Sequence, residues 1–219
     1  MNCGFSLEHY KECLNSAIKK GYLFLTMEEW VRQKEALKEQ KVIVLRHDID
    51  HNLKLALNLS RIEQSFGIRA TYFIRLHAKG YHPFSLEDYK VLKEVISMGH
   101  ELGLHHDCDF ATLVSEDPKE FLKRDKTVFE KMVNSPVVGI SSHEPNKSAF
   151  VIKDSEISEF GFLYQAYSDI FLKKMKYISD SSSRWREGCM HEWIEKEEPR
   201  LCILTHPIWW SEKSPLENY

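Results

Sequence analysis

Between Val42 and His51 the chain reads Val-Ile-Val-Leu-Arg-His-Asp-Ile-Asp-His, an apolar run that breaks into five ionisable residues within six positions. The β-branched part suits a strand covered on both faces. Its charged end cannot enter a core unpaired without a large desolvation penalty. Arg46, His47, Asp48, Asp50 and His51 are therefore expected at a strand's end, in a cleft, paired or bound to a metal ion. Three nitrogen or oxygen ligands with one open position for water make a hydrolytic metal site. Such chemistry needs one carboxylate beyond the ligands to take a proton, and a separate acid to protonate a leaving amine. Asp48 and Asp50 supply the carboxylate pair, and His206 is a candidate acid.

The elements that would position these groups follow a βα alternation. Strands are expected over residues 42–47, 70–75, 101–105, 137–141, 162–166, 176–179 and 201–205. Helices are expected over 53–66, 85–98 and 117–133, the last opened by Asp117-Pro118. Two helices precede the first strand, over 6–20 with Ser6 as N-cap, and from the capping-box sequence Thr26-Met-Glu-Glu29 to about residue 39. Strand following helix following strand argues for a parallel sheet with helical crossovers, whose site lies at the carboxyl ends of the strands. Those ends carry His47, Asp48 and Asp50, then Arg75 and His77, His105 to Asp107, Ser142 and His143, Asp180, and His206. A preference of His and Asp for loops accounts for any one of these, and poorly for their convergence.

Composition narrows the classes. The 219 residues are 42% hydrophobic and 29% charged with net charge −3, a soluble globular balance, and one domain over 1–219 is the simplest expectation. Lys and Arg are scattered, so nucleic acid is not an expected partner. No apolar run reaches membrane-spanning length. Cys3, Cys13, Cys108, Cys189 and Cys202 lack CxxC spacing and read as thiols of a reducing compartment; with no basic-then-apolar leader, a cytoplasmic location is expected. His9, His82 and His191 read as surface residues, and His100 as structural.

Several motifs resemble the polysaccharide deacetylases of the chitooligosaccharide-deacetylase type, over about residues 42–210. His-Asp-Ile-Asp (47–50) is similar to the family's first motif, Gly99-His-Glu-Leu-Gly-Leu-His105 to its second, Ala70-Thr-Tyr-Phe-Ile to its second-strand signature, and Leu204-Thr-His206-Pro to its last. A branch linked to surface-polysaccharide biosynthesis resembles the chain most, through Arg-His-Asp-Ile-Asp, Ser142-His-Glu-Pro145, Ser179-Asp-Ser-Ser-Ser-Arg-Trp185 and Thr205-His-Pro-Ile-Trp-Trp210. The resemblance implies an α/β fold, a distorted, incomplete (β/α) barrel of about seven parallel strands, here with an N-terminal helical appendage. It implies a divalent metal ion, zinc in the first instance, held by Asp50 and His105, with Asp48 as base and His206 as acid.

Two positions depart from the pattern. The second histidine of the second motif is Asp109 here, and the fourth-strand Arg-Pro is His143-Glu-Pro. His143 is the expected third ligand, with Asp107 and Asp109 as rivals. Arg75, Asp180, Arg184 and Trp209 are assigned to substrate binding: an aromatic face suits a sugar ring, and arginine suits a uronate or phosphate. The expected reaction is hydrolysis of a carbon–nitrogen amide on a small-molecule or lipid-linked sugar. The alternatives are hydrolysis of another amide, and a non-catalytic carbohydrate-binding protein of the same fold, which the missing second-motif histidine favours.

Overall fold

The computed structural model describes residues 3–107, 109–146, 150 and 152–212; the thiol expected at Cys108 lies outside them. Eight parallel strands form one curled sheet: β1 (Leu23–Leu25), β2 (Val42–Ile49), β3 (Thr71–Ile74), β4 (Glu101–His106), β5 (Gly139–Ser142), β6 (Tyr164–Gln165), β7 (Lys176–Ser179) and β8 (Arg200–Thr205). Seven run in the order β6-β5-β4-β3-β2-β8-β7, an incomplete barrel, and β1 pairs with the first half of β2. The seven stand where the hydrophobic pattern places them. The three-residue β1, exposed or half-buried throughout, carries too little pattern to be read from sequence.

The helices are α1 (Leu7–Lys19), α2 (Met27–Gln33), α3 (Leu53–Ser65), α4 (Leu86–Ser97), α5 (Phe110–Leu113), α6 (Pro118–Val133), α7 (Asp169–Leu172) and α8 (Met190–Glu195). Their starts obey capping chemistry: Ser6, Thr26, Asn52, Ser85 and Asp117 each accept a backbone N–H of the first turn. The capping box at Thr26 and Glu29 forms as expected. The second helix ends at Gln33, not near residue 39, because the Lys- and Glu-rich stretch after it has little apolar surface to dock.

Every residue of β2 is buried. Alternation sends Val42, Val44, Arg46 and Asp48 to the barrel interior, and Ile43, Leu45, His47 and Ile49 to the helical layer. The interior cluster includes Phe73, Tyr164, Phe171 and Cys202, and Met27 and Trp30 of α2 join it near the amino ends of the strands. Phe73 pairs in register with Gly103, where a Cβ would stand 2.4 Å from the phenyl ring. Glycine at that position is what lets an aromatic side chain fit inside so narrow a barrel.

On the helical side β2 meets a buried carboxylate. Glu63 of α3 is fully buried and lies 2.8 Å from His47 Nε2. It accepts from Tyr72 Oη at 2.7 Å and from Tyr10 Oη of α1, and His100 Nδ1 stands 3.6 Å away. Burial alone would raise its pKa, but His47 and His100 outweigh this and hold the carboxyl below the ordinary glutamate range. Glu63 thereby joins α1 and α3 to two strands and is a structural, not a catalytic, ionisable group.

Because its folded pKa is depressed, Glu63 contributes stability that is present above the ordinary glutamate pKa and is lost as pH falls through the folded value. Glu63→Gln is expected to cost about 3–5 kcal/mol, the range for breaking a buried ion pair. It should also flatten the acid limb of stability against pH. Urea unfolding of both proteins between pH 4 and pH 7 checks each outcome.

Candidate active site

The same alternation decides which polar residues meet. Asp48 and Asp50, two apart, face the cleft at the strand end, whereas His47, just before them, faces Glu63. Asp50 lies one residue beyond β2 and is half-buried. Its Oδ1 is 3.1 Å from His105 Nε2 and 3.7 Å from His143 Nε2, and its Oδ2 is 3.9 Å from His206 Nε2. Burial opposes ionisation of Asp50, yet the three histidines hold its pKa well below the carboxylate range.

His105, on β4, is buried, and its Nδ1 lies 3.0 Å from the Ser141 carbonyl. A carbonyl only accepts, so Nδ1 carries the proton. Nε2 then meets Asp50 as a second N–H or as a lone pair on a shared cation. Burial pulls the His105 pKa down, and Asp48 and Asp50 more than reverse this. His143 follows β5, with Nδ1 3.3 Å from Asp107 Oδ1, so its Nε2 also points toward Asp50. The other side of that Nε2 is Arg75, whose Nη1 is 3.3 Å away while its Nε donates to Asp107 Oδ2 at 2.7 Å. Burial of Asp107 is offset by His143 and Arg75, which bring its pKa down to about 2.

Asp48 is nearly inaccessible. Arg46 Nη2 and Ser141 Oγ each donate to its Oδ2 at 3.2 Å, and its buried Oδ1 has no hydrogen-bond partner among the described residues. Arg46 also donates to the Ala166 carbonyl at 2.9 Å and stacks over Tyr167 at 4.6 Å. Burial alone would lower the arginine pKa, but Asp48 reverses this and the guanidinium stays charged. His206 Nδ1 donates to Asp180 Oδ1 at 2.6 Å, which leaves Nε2 facing Asp50 and the cleft. The His206 backbone N–H and Trp210 Nε1 also donate to Asp180. Burial would lower the His206 pKa; Asp180 outweighs it and raises it.

Asp50, His105, His143, Asp48 and His206 therefore converge, and Asp107 and Arg75 join them around His143. Asp180 is fully buried and its carboxylate is taken up by His206 and Trp210, so it cannot reach a substrate. Asp109 is exposed at the start of α5, and His77 is drawn away to Asp125 at 3.0 Å. Arg184 is exposed and Trp209 half-buried beside His206. A cleft of about 230 Å³ lined by Thr26, Arg69, His100 and Glu101 opens at the amino ends of the strands, away from this chemistry.

One carboxylate and two imidazoles, whose Nδ1 atoms each face an acceptor of their own, are donor types that divalent ions take. A second group, Cys3, His9, Cys189 and His191, has its four donor atoms all within 4.8 Å of one another. His9 is buried and His191 half-buried, not surface residues as their sequence context suggests. Cys13, Cys189 and Cys202 are thiols, as expected.

No protein-family model and no curated protein sequence matches the chain. Solved structures do match. A Streptococcus pyogenes deacetylase, PplD, solved with acetate, superposes with a TM-score of 0.53 at 17% identity, over 71% of this chain and 69% of that one. A family 4 carbohydrate esterase from Bacillus anthracis gives 0.51 at 17%, over 91% and 77%. BA3943, a CE4 family pseudoenzyme from Bacillus anthracis, gives 0.52 at 14%, over 77% of this chain and 55% of its own. The chain has the polysaccharide-deacetylase fold.

Within the polysaccharide-deacetylase fold, among the described residues, no helix is long and apolar enough to cross a membrane. The residues that the motifs leave without a role are Arg46 and Ser141, which hold Asp48, while Asp107, a rival for the third ligand, instead joins Arg75 to His143. Only Arg46, two before Asp48, gives a hint of its role in sequence.

In metal-free protein, His206 is expected to titrate above an ordinary histidine, and Asp180→Asn to lower that value because burial then dominates. The pair's stability is fully present below the unfolded histidine pKa and is lost as pH rises through the folded value. An NMR titration of the imidazole protons checks this, and an unchanged titration in Asp180→Asn counts against the assigned pairing.

Proposed function

We propose that the chain is a metal-dependent hydrolase that removes an N-acyl group from a sugar, on an intermediate of surface-polysaccharide biosynthesis. The observation that carries this reading is the meeting of Asp50, His105 and His143, with Asp48 Oδ2 4.0 Å from His105 Nε2 and the Asp180–His206 pair reaching Asp50 through His206 Nε2. A divalent ion, zinc in the first instance, held by Asp50, His105 and His143 would polarise the acyl carbonyl and supply a water of lowered pKa.

The chain's own residues do the rest. Among the described residues Asp48 Oδ1 has no hydrogen-bond partner, while Arg46 and Ser141 hold its Oδ2, so Oδ1 is the oxygen we assign to take the water's proton. His206 presents Nε2 to the cleft, and Asp180 keeps the imidazole oriented and favours its protonated form. In that form it can protonate the leaving amine. Asp180 acts as a positioning residue rather than a substrate contact. Trp209 and Arg184 remain to meet the sugar ring and an anionic group such as a phosphate.

A second reading, a carbohydrate-binding protein without catalysis, is supported by one observation. Arg75 Nη1 lies 3.3 Å from His143 Nε2 and competes with a cation for that lone pair.

Metal-loaded protein is expected to release acetate or another acyl group from at least one of a panel of N-acylated sugar nucleotides and oligosaccharides. Asp50→Ala should abolish turnover. His206→Ala and Asp48→Asn should each lower kcat about 10²–10⁴-fold, the usual weight of a general acid or base. Saturable sugar binding with no turnover under zinc, cobalt or manganese would turn the assignment to the binding protein.

A further inference from the structure

Helices α1 and α8 begin near one another on the outside of the barrel, and each start carries a cysteine and a histidine. Cys3 precedes α1 and His9 lies in its first turns; Cys189 is the N-cap residue of α8 and His191 its second residue. His9 Nε2 is 3.2 Å from Cys189 Sγ, and His191 Nδ1 is 3.6 Å from Cys3 Sγ. All four donor atoms lie within 4.8 Å of one another. The two imidazoles meet nearly edge to face, with centroids 5.4 Å apart.

These separations match one coordination polyhedron. Zinc bonded at about 2.3 Å to sulfur and about 2.0 Å to nitrogen in a tetrahedron places its donors about 3.3–3.8 Å apart. Both sulfur–nitrogen separations fall in or beside that range. On the far side of His9, Nδ1 lies 3.5 Å from Glu12 Oε2, a carboxylate on the side where one would orient a ligating imidazole, without a hydrogen bond formed. Two thiols and two imidazoles select a soft or borderline ion over magnesium or calcium. None of the four belongs to the strand-end set.

We propose that Cys3, His9, Cys189 and His191 form a structural Cys2His2 zinc site that clasps α1 to α8. Four protein donors complete the tetrahedron and leave no position for water, so the site holds the fold rather than catalysing a reaction. Its ligand pairs are 180 and 188 residues apart in the chain, so the ion closes a loop that spans the barrel. Cys13, one turn beyond His9 and 3.6 Å from its Nε2, is a neighbour of the site, outside the four-donor set.

The test uses the full chain, untagged and purified without chelator, with zinc exchanged for cobalt. A tetrahedral cobalt spectrum with intense near-ultraviolet thiolate charge transfer is expected. It should persist in Asp50→Ala, which removes the strand-end site, and in Cys13→Ser. It should vanish in Cys3→Ser and in Cys189→Ser, each with one equivalent of zinc fewer than wild type. If those variants fail to fold, mercurial titration of wild-type thiols should release one equivalent of zinc. Absence of a thiolate band in wild type overturns the proposal. So does a band that survives Cys3→Ser or falls with Cys13→Ser, or a Cys3–Cys189 disulfide in the purified protein. None of these readouts depends on turnover, so failure here leaves the hydrolase reading untouched.

Discussion

Arg46 and Asp48, two apart on the inner face of β2, form a buried ion pair on which the arrangement of the barrel interior depends. A guanidinium inside an apolar barrel is costly unless its charge and its donors find partners. Here Asp48, the Ala166 carbonyl and the faces of Phe73, Tyr167 and Tyr177 surround it. The pairing in turn fixes one oxygen of Asp48 and leaves the other without a hydrogen-bond partner among the described residues. A carboxylate prepared in this way stands at the boundary between the apolar interior and the cleft. The charge that would be a defect in the core becomes part of the site one residue pair further along the strand.

The outer face of β2 solves a similar problem by other means. His47 emerges among helices, where Glu63, Tyr10, Tyr72 and His100 surround it or share its carboxylate partner. That network uses groups from α1, α3, β3 and the start of β4, so it joins the helical layer to the sheet through polar contacts within an otherwise apolar core. The N-terminal helix is consequently bound into the body of the fold at Tyr10, and it reaches α8 through the cysteine and histidine cluster at its start.

A polysaccharide-deacetylase fold does not by itself decide the chemistry, since the fold is shared by a named deacetylase and by a pseudoenzyme. What decides it is local. His143, proposed as the third donor to the ion, follows β5, and its Nε2 is contested by Arg75, which Asp107 holds in place. The balance at His143 between a cation on one side and a guanidinium on the other is the physical difference between the catalytic and the binding reading.

The sequence by itself determined the order of the seven barrel strands and the five longer helices, and the identity of the strand ends, while β1 and the short helices α5, α7 and α8 escaped it. Buried parallel strands are short continuous apolar runs, helix starts are marked by capping residues, and both signals are local. It could equally foretell that Asp48 and Asp50 share a face, because a strand alternates with period two. Only the tertiary structure decided what those residues touch. His47 and His77, at strand ends in sequence, are drawn to Glu63 and Asp125. Asp180, read as a substrate contact, is buried beneath His206, and Asp109 is left exposed. Cys3 and His9 meet Cys189 and His191 across nearly the whole chain, with only the Cys-x-His spacing at 189–191 as a local hint. Ion pairs and ligand sets form between side chains that the curvature of the sheet and the docking of helices bring together, and no periodicity along the chain encodes that distance.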